Sequence, residues 1–168
     1  MNTTTGITLG GLTAAAIVLL YNLRPWWTGN RDAKQLAAFG KGTALGLVSA
    51  VCPGGILGWL HAHSGGAANS AGGRITSGAT GVHAAAPVAH RSLTGLDEPG
   101  ACVVAVLAIV VVIAWKAAGK RDKWRMAGGT FVASVLCLTA GVIGALTWMP
   151  GLLNGVGASV AHAVGKSL

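Results

Sequence analysis

The stretch Pro99–Trp115 reads PGACVVAVLAIVVVIAW, and it runs directly into Lys116–Arg125, KAAGKRDKWR. Seventeen residues carry no charge, and five basic side chains then crowd into ten positions. About 20 apolar residues in a helix cross a ~30 Å hydrocarbon core. Lys116 lengthens the run, because its stem lies along apolar surface while its ammonium reaches water. Val103, Val104, Val106, Leu107, Ile109, Val110, Val111, Val112 and Ile113 give this segment large side chains all round. It is the expected lipid-facing helix.

Three further uncharged windows lie around it. Met1 to Leu23, Gly42 to Leu60 and Met126 to Met149 each have spanning length. The runs are continuous rather than alternating, which favours helices over a β-barrel. The whole chain agrees: of 168 residues, 52% are apolar and 10% charged, against about 25% charged for a soluble domain. The expected fold is all-α, a single membrane domain with four transmembrane helices at about 5–23, 42–60, 100–117 and 127–149. The first window lacks the basic stretch of a cleaved signal and is expected to be retained.

The net charge of +8 is unevenly placed. The first connection holds Arg24, Arg31, Lys34 and Lys41 against Asp32. The third holds Lys116, Lys120, Arg121, Lys123 and Arg125 against Asp122. The long loop, 61–99, balances Arg74 and Arg91 with Asp97 and Glu98. Basic connections stay in the cytoplasm. The N-terminus, the 61–99 loop and the C-terminus are therefore expected outside, in a multi-pass protein of the bacterial cytoplasmic membrane. Trp26, Trp27, Trp59, Trp115, Trp124 and Trp148 all fall at expected interfaces, where amphipathic rings anchor.

Small residues recur every fourth position. The ridges are Gly6, Gly10 and Ala14 in the first span; Ala38, Gly42, Gly46, Ala50, Gly54 and Gly58 in the second; and Gly129, Ala133, Cys137, Gly141 and Ala145 in the fourth. Such faces let backbones approach closely in lipid, within one bundle or between subunits of a homo-oligomer. Pro53-Gly54-Gly55 predicts a kink inside the second span.

In the 61–99 loop, Ser64 to Gly73 reads as a flexible linker, and 81–90 as a weak helical stretch. Asp97-Glu98-Pro99 reads as a helix start. The tail, 151–168, places Leu153, Val156, Val160, Val164 and Leu168 near one another at helical spacing. It is expected as an interfacial helix or an extension of the fourth span. His61, His63, His83 and His90 read as solvated loop histidines, with metal binding as the sharper alternative. Cys52, Cys102 and Cys137 are isolated and read as small apolar residues. No catalytic or phosphate-loop motif occurs and no acid lies in an expected span, so neither an enzyme nor a cofactor is expected.

The basic turns are expected to touch anionic lipids, or to hold DNA phosphates without sequence preference. The Ala/Gly/Val-rich vocabulary, with arginine as numerous as lysine, looks actinobacterial. Short length, several spans and basic turns resemble the spread (Spd-type) membrane proteins of actinomycete conjugative plasmids. That resemblance implies an accessory channel or pore component of mobile-element DNA transfer. Two other classes share the layout: a phage holin-like pore former and a structural subunit of a pilus or secretion complex.

Overall fold

The structure is a computed structural model and describes residues 7–29, 33–52, 54–81, 87–89 and 95–166. The fold is all-α among these residues. The helices are α1 (Leu9–Thr28), α2 (Lys34–Val51), α3 (Gly55–Thr80), α4 (Glu98–Ala117), α5 (Lys120–Leu136), α6 (Ala140–Ala145) and α7 (Met149–Gly165). Two short strands, β1 (Ile7–Thr8) and β2 (Pro87–Ala89), pair antiparallel, with Ile7 opposite Ala89.

Local chemistry sets the helix ends. The Thr8 hydroxyl accepts a 3.1 Å hydrogen bond from the Gly11 N–H, satisfying a donor that the first turn of α1 leaves open. Asp97, Glu98 and Pro99 open α4, as their order predicts. Lys116 sits in the last turn of α4, where a cation meets the negative end of the helix dipole.

Close backbone contact holds the centre. On α2, Gly42 lies against the Met126 carbonyl and Gly46 against Thr130 and Ala133, while Ser49 approaches Ser134. Residue numbers rise together on the two helices, so α2 and α5 run parallel. A methyl on Gly46 would stand 2.7 Å from the Ala133 methyl, so only glycine fits this approach. By contrast, α1 runs antiparallel to α5, with Ala15 near Val135 and Asn22 near Gly128. One buried cluster joins Val48, Val51, Val104, Met149 and Leu153; another joins Ile7, Ala15, Ala68, Val135 and Leu138.

Among the described residues, α4 alone is a single helix long and apolar enough to cross a membrane. Only 11% of it is buried, and Val106, Ile109 and Ile113 are all exposed. The expected bundle of four spans is thus not shown by these helices. The expected kinked span at 42–60 is two helices meeting at 104°. Pro53 lies outside the described residues, but Gly55 has φ +70, a left-handed conformation that glycine takes without strain. Together the two helices pass as one bent span or a re-entrant pair.

The expected linker from Ser64 to Gly73 is helical instead, inside α3. Packing overrides its glycine content. Gly72 seats on the Gly10 backbone, Ala68 is fully buried, and Asn69 accepts from both the Thr8 N–H (2.9 Å) and hydroxyl (3.0 Å). The hydroxyls of Ser64, Ser70 and Thr76 fold back onto carbonyls one turn earlier. Helix is likewise absent from Pro87–Ala89, which forms β2, and Gly81 ends α3 in a left-handed conformation. A proline with no N–H suits such a short edge. The remainder of 82–90 lies outside the described residues.

The expected span at 127–149 is also interrupted. Helix α5 ends at Leu136, a turn follows, and α6 and α7 continue separately. The Thr139 hydroxyl bonds the Leu136 carbonyl at 2.7 Å, capping an acceptor that the terminated helix exposes. The tail helix α7 packs antiparallel on α4, with Gly157 against Pro99 and Gly100.

Candidate functional site

The charges converge through these pairings. The C-terminal half of α1 meets the start of α5, and a cleft between α2 and α4–α5 brings Lys41, Ala117 and Asp122 together. The end of α1, the beginning of α2, the end of α4 and the beginning of α5 thus share one end of the molecule. Arg24, Lys41, Lys116, Lys120, Arg121, Lys123 and Arg125 all belong to it. Lys34 stands in the first turn of α2, and its side chain is not among those described. Arg31 lies outside the described residues. The acids Asp97 and Glu98 sit at the opposite end of α4.

At the basic end a cleft of about 860 Å³ opens between α1 and α5. Val18, Pro25, Ala127 and Phe131 form apolar walls, Tyr21 and Trp124 flank the opening, and Arg24, Arg121 and Arg125 supply charge. No carboxylate lines it among the described residues. Asn22 is buried within α1, and its amide donates 2.8 Å to the Val18 carbonyl. Gly128 keeps the floor open, since a Cβ there would stand 2.8 Å from the Asn22 amide nitrogen. A smaller cleft of about 270 Å³ has Lys41 and Asp122 on its walls, so cation and acid face the same space.

The small-residue ridges divide into used and unused parts. Gly10, Ala14, Gly42, Gly46, Ala50, Gly129 and Ala133 are buried between helices. Gly129 meets the Phe39 carbonyl, and Cys137 continues that buried line. Gly54 and Ala145 are exposed, while Gly58 is half-buried. Gly54 leaves the ridge because the chain turns there, and Ala145 because α5 has already ended. Gly141 falls in α6 without a described burial, and Gly6 lies outside the described residues.

Trp27, Trp59, Trp115, Trp124 and Trp148 are exposed and Trp26 half-buried. The Trp148 indole N–H donates 2.8 Å to the Ala145 carbonyl. Trp59 lies against His63, ring centroids 3.9 Å apart. His61 is half-buried and its Nδ1 has no hydrogen-bond partner, so it is not the solvated loop residue expected. His83 and His90 lie outside the described residues. No group of three His, Cys, Asp or Glu able to hold a metal occurs among the described residues. Cys137 is buried, Cys52 half-buried and Cys102 exposed on α4.

Four polar contacts between elements were missed from the sequence, the first being the buried hydroxyl pair of Ser49 and Ser134 at 3.3 Å. The Asn154 side chain on α7 accepts from the Asp97 N–H (3.0 Å) and donates to the Gly95 carbonyl (2.8 Å) and the Asp97 carboxylate (3.0 Å). Thr130 and Asn69 make the other two. A lone asparagine among the apolar and small residues at the start of α7 is the signal that would have flagged Asn154; Asn69 stands among glycines and serines, which give no such signal. Comparison with family models, curated proteins and solved structures returned no match.

Proposed function

We propose that this chain is a non-enzymatic, multi-pass protein of the bacterial cytoplasmic membrane, an oligomeric assembly or channel component acting in mobile-element DNA transfer. Its basic end faces the cytoplasm, and N- and C-termini lie outside. One observation carries the reading: an apolar helix left exposed along its length, α4, runs from an acidic start to the end where seven basic side chains gather. In water that exposed surface would be costly, at roughly 25 cal/mol per Å²; in lipid it is the expected exterior. The parallel α2 and α5 support the topology, because the second and fourth passes of a four-pass chain must run in the same direction.

In this reading the basic end sets the orientation and, repeated around an oligomer, holds DNA phosphates without reading bases. The test is retention of duplex DNA by the purified oligomer over a salt series. Affinity should fall about a thousandfold between 50 and 200 mM salt if six or so phosphates are neutralised. A flat response, or no retention, removes the DNA role and leaves a structural subunit. Abrupt collapse of membrane potential on induction would replace the transfer reading with a holin-like pore.

A further inference from the structure

We propose that the gap between α2 and α4 holds one phospholipid with a primary amine in its headgroup. Lys41 binds its phosphate, Asp122 binds its ammonium, and one acyl chain lies between the two helices. The proposal rests on the membrane reading above and adds a lipid class and a binding place to it.

Packing is the first argument. Helix α4 joins the bundle through Val104, which is buried with Val48 and Val51 of α2. Towards the basic end the two helices part. A gap of about 40 Å³ separates Ala44 and Val48 from Ala108 and Val111. Nearer the basic end, a cleft of about 270 Å³ lies between Ala37 and Lys41 on one side and Ala114 and Ala118 on the other. On α2 these positions follow one another at helical spacing, and those on α4 do so in reverse order. Both openings therefore lie along the same two facing surfaces, as one wedge closed at Val104. Alanines line most of it, where larger side chains would fill the space.

Length and width are the second argument. From Ala37 to Val48 the wedge covers about 16 Å at ~1.5 Å per residue. That is about half of a ~30 Å hydrocarbon core, the depth of one leaflet. The narrow end is bounded only by alanine, leucine and valine. It is too thin for a second helix, about 10 Å across, whereas a single hydrocarbon chain fits a taper. Walls left without a neighbour forfeit their dispersion contacts.

Charge is the third. At the wide end, Lys41 on α2 and Asp122 in the first turn of α5 border the same space. Among the described residues no ion pair joins them. A headgroup carrying both phosphate and ammonium offers each its opposite charge. A phosphate without an amine leaves Asp122 facing an anion, and a quaternary ammonium has no N–H to donate to the carboxylate.

The experiment uses full-length protein. Carbonate extraction of membranes comes first: release of the chain sinks the membrane-spanning reading itself. Retained protein is purified in neutral detergent and titrated separately with phosphatidylethanolamine, phosphatidylcholine and phosphatidylglycerol, and bound lipid is counted by native mass spectrometry. One phosphatidylethanolamine per chain is expected, held about tenfold more tightly than either other lipid, the scale of one charge-assisted contact. K41Q/D122N should lose that preference. E98Q/K166Q removes one cation and one anion away from the wedge and should keep it. A38L/A114L fills the wedge and should abolish binding of all three lipids.

Circular dichroism and size exclusion check that the variants fold. Should A38L/A114L fail, K41Q/D122N decides, since both its positions are exposed. An undiminished preference in K41Q/D122N, or unchanged binding in A38L/A114L, would overturn the site. Phosphatidylglycerol held as tightly as phosphatidylethanolamine would overturn the role of Asp122 and the lipid class with it. Displacement by excess free phosphoethanolamine would overturn the acyl-chain contact. An oligomer that dissociates in A38L/A114L with its lipid count unchanged would give the wedge to a second copy.

Discussion

The Thr130 hydroxyl on α5 stands 3.0 Å from the Gly42 carbonyl on α2 and, at the same distance, from the Met126 carbonyl of its own helix. The hydroxyl therefore bridges two backbones at the place where Gly42 lets them touch. Glycine provides the approach, and threonine uses it.

Enlarging Gly42 should therefore cost more than removing the hydroxyl. Gly42→Val places a side chain against the Met126 backbone, which cannot yield as a flexible side chain can. Overpacking of this kind costs about 1–3 kcal/mol or more. Thr130→Val removes only a polar contact, worth about 0.6 kcal/mol between helices in a membrane. Thermal unfolding in detergent should show a clear drop in Tm for Gly42→Val and a small one for Thr130→Val. The reverse order would contradict the α2–α5 contact.

Asn154 should hold the start of α4. Its carboxamide satisfies the Asp97 N–H and the Gly95 carbonyl together. Asn154→Leu should cost about 1 kcal/mol, in line with loss of a helix cap. Hydrogen exchange should rise at Asp97 to Ala101 and along the facing turn of α7. Unchanged protection there would mean that the apolar contacts of Val104 with Leu153 hold the pair unaided.

The exposed face of α4 should resist charge. Val110 lies mid-helix and is well exposed. Val110→Arg should raise the insertion free energy of this helix by about 2.5–3.5 kcal/mol. A glycosylation-based insertion assay would read this as a fall in the membrane-integrated fraction. The same change at Lys116, Lys116→Arg, should leave insertion unaltered. A tolerated Val110→Arg would mean that α4 faces water.

The proposed orientation rests on the basic end. In a background lacking Cys52, Cys102 and Cys137, Lys120→Cys should resist an impermeant thiol reagent in intact cells. Glu98→Cys, at the other end of α4, should react. Labelling at position 120 and protection at 98 would invert the topology, and the cytoplasmic placement of the basic cleft with it.

Several features were legible before any coordinates. The uninterrupted run at Pro99–Trp115 marks α4, and Asp97-Glu98-Pro99 marks its start, because helix caps and apolar runs are written in neighbouring residues. The small-residue spacing of Gly42, Gly46, Gly129 and Ala133 marks faces of close approach. It did not say which ridge meets which, since spacing along one helix carries no address for its partner. The same spacing continued through Gly54 on paper and stopped in space.

By itself the sequence determined where charge is permitted and where it is not: an all-α chain, an apolar α4 and two connections with a strong excess of basic residues. These follow from transfer costs that each side chain carries wherever it stands. Only the tertiary structure decided that the chain turns 104° between α2 and α3, and that a glycine- and serine-rich stretch becomes helix against α1. Only it brought Arg24 to Arg121 and Arg125 around one cleft. Those outcomes depend on which backbones come close enough to exclude a side chain, and such contacts join residues more than a hundred positions apart.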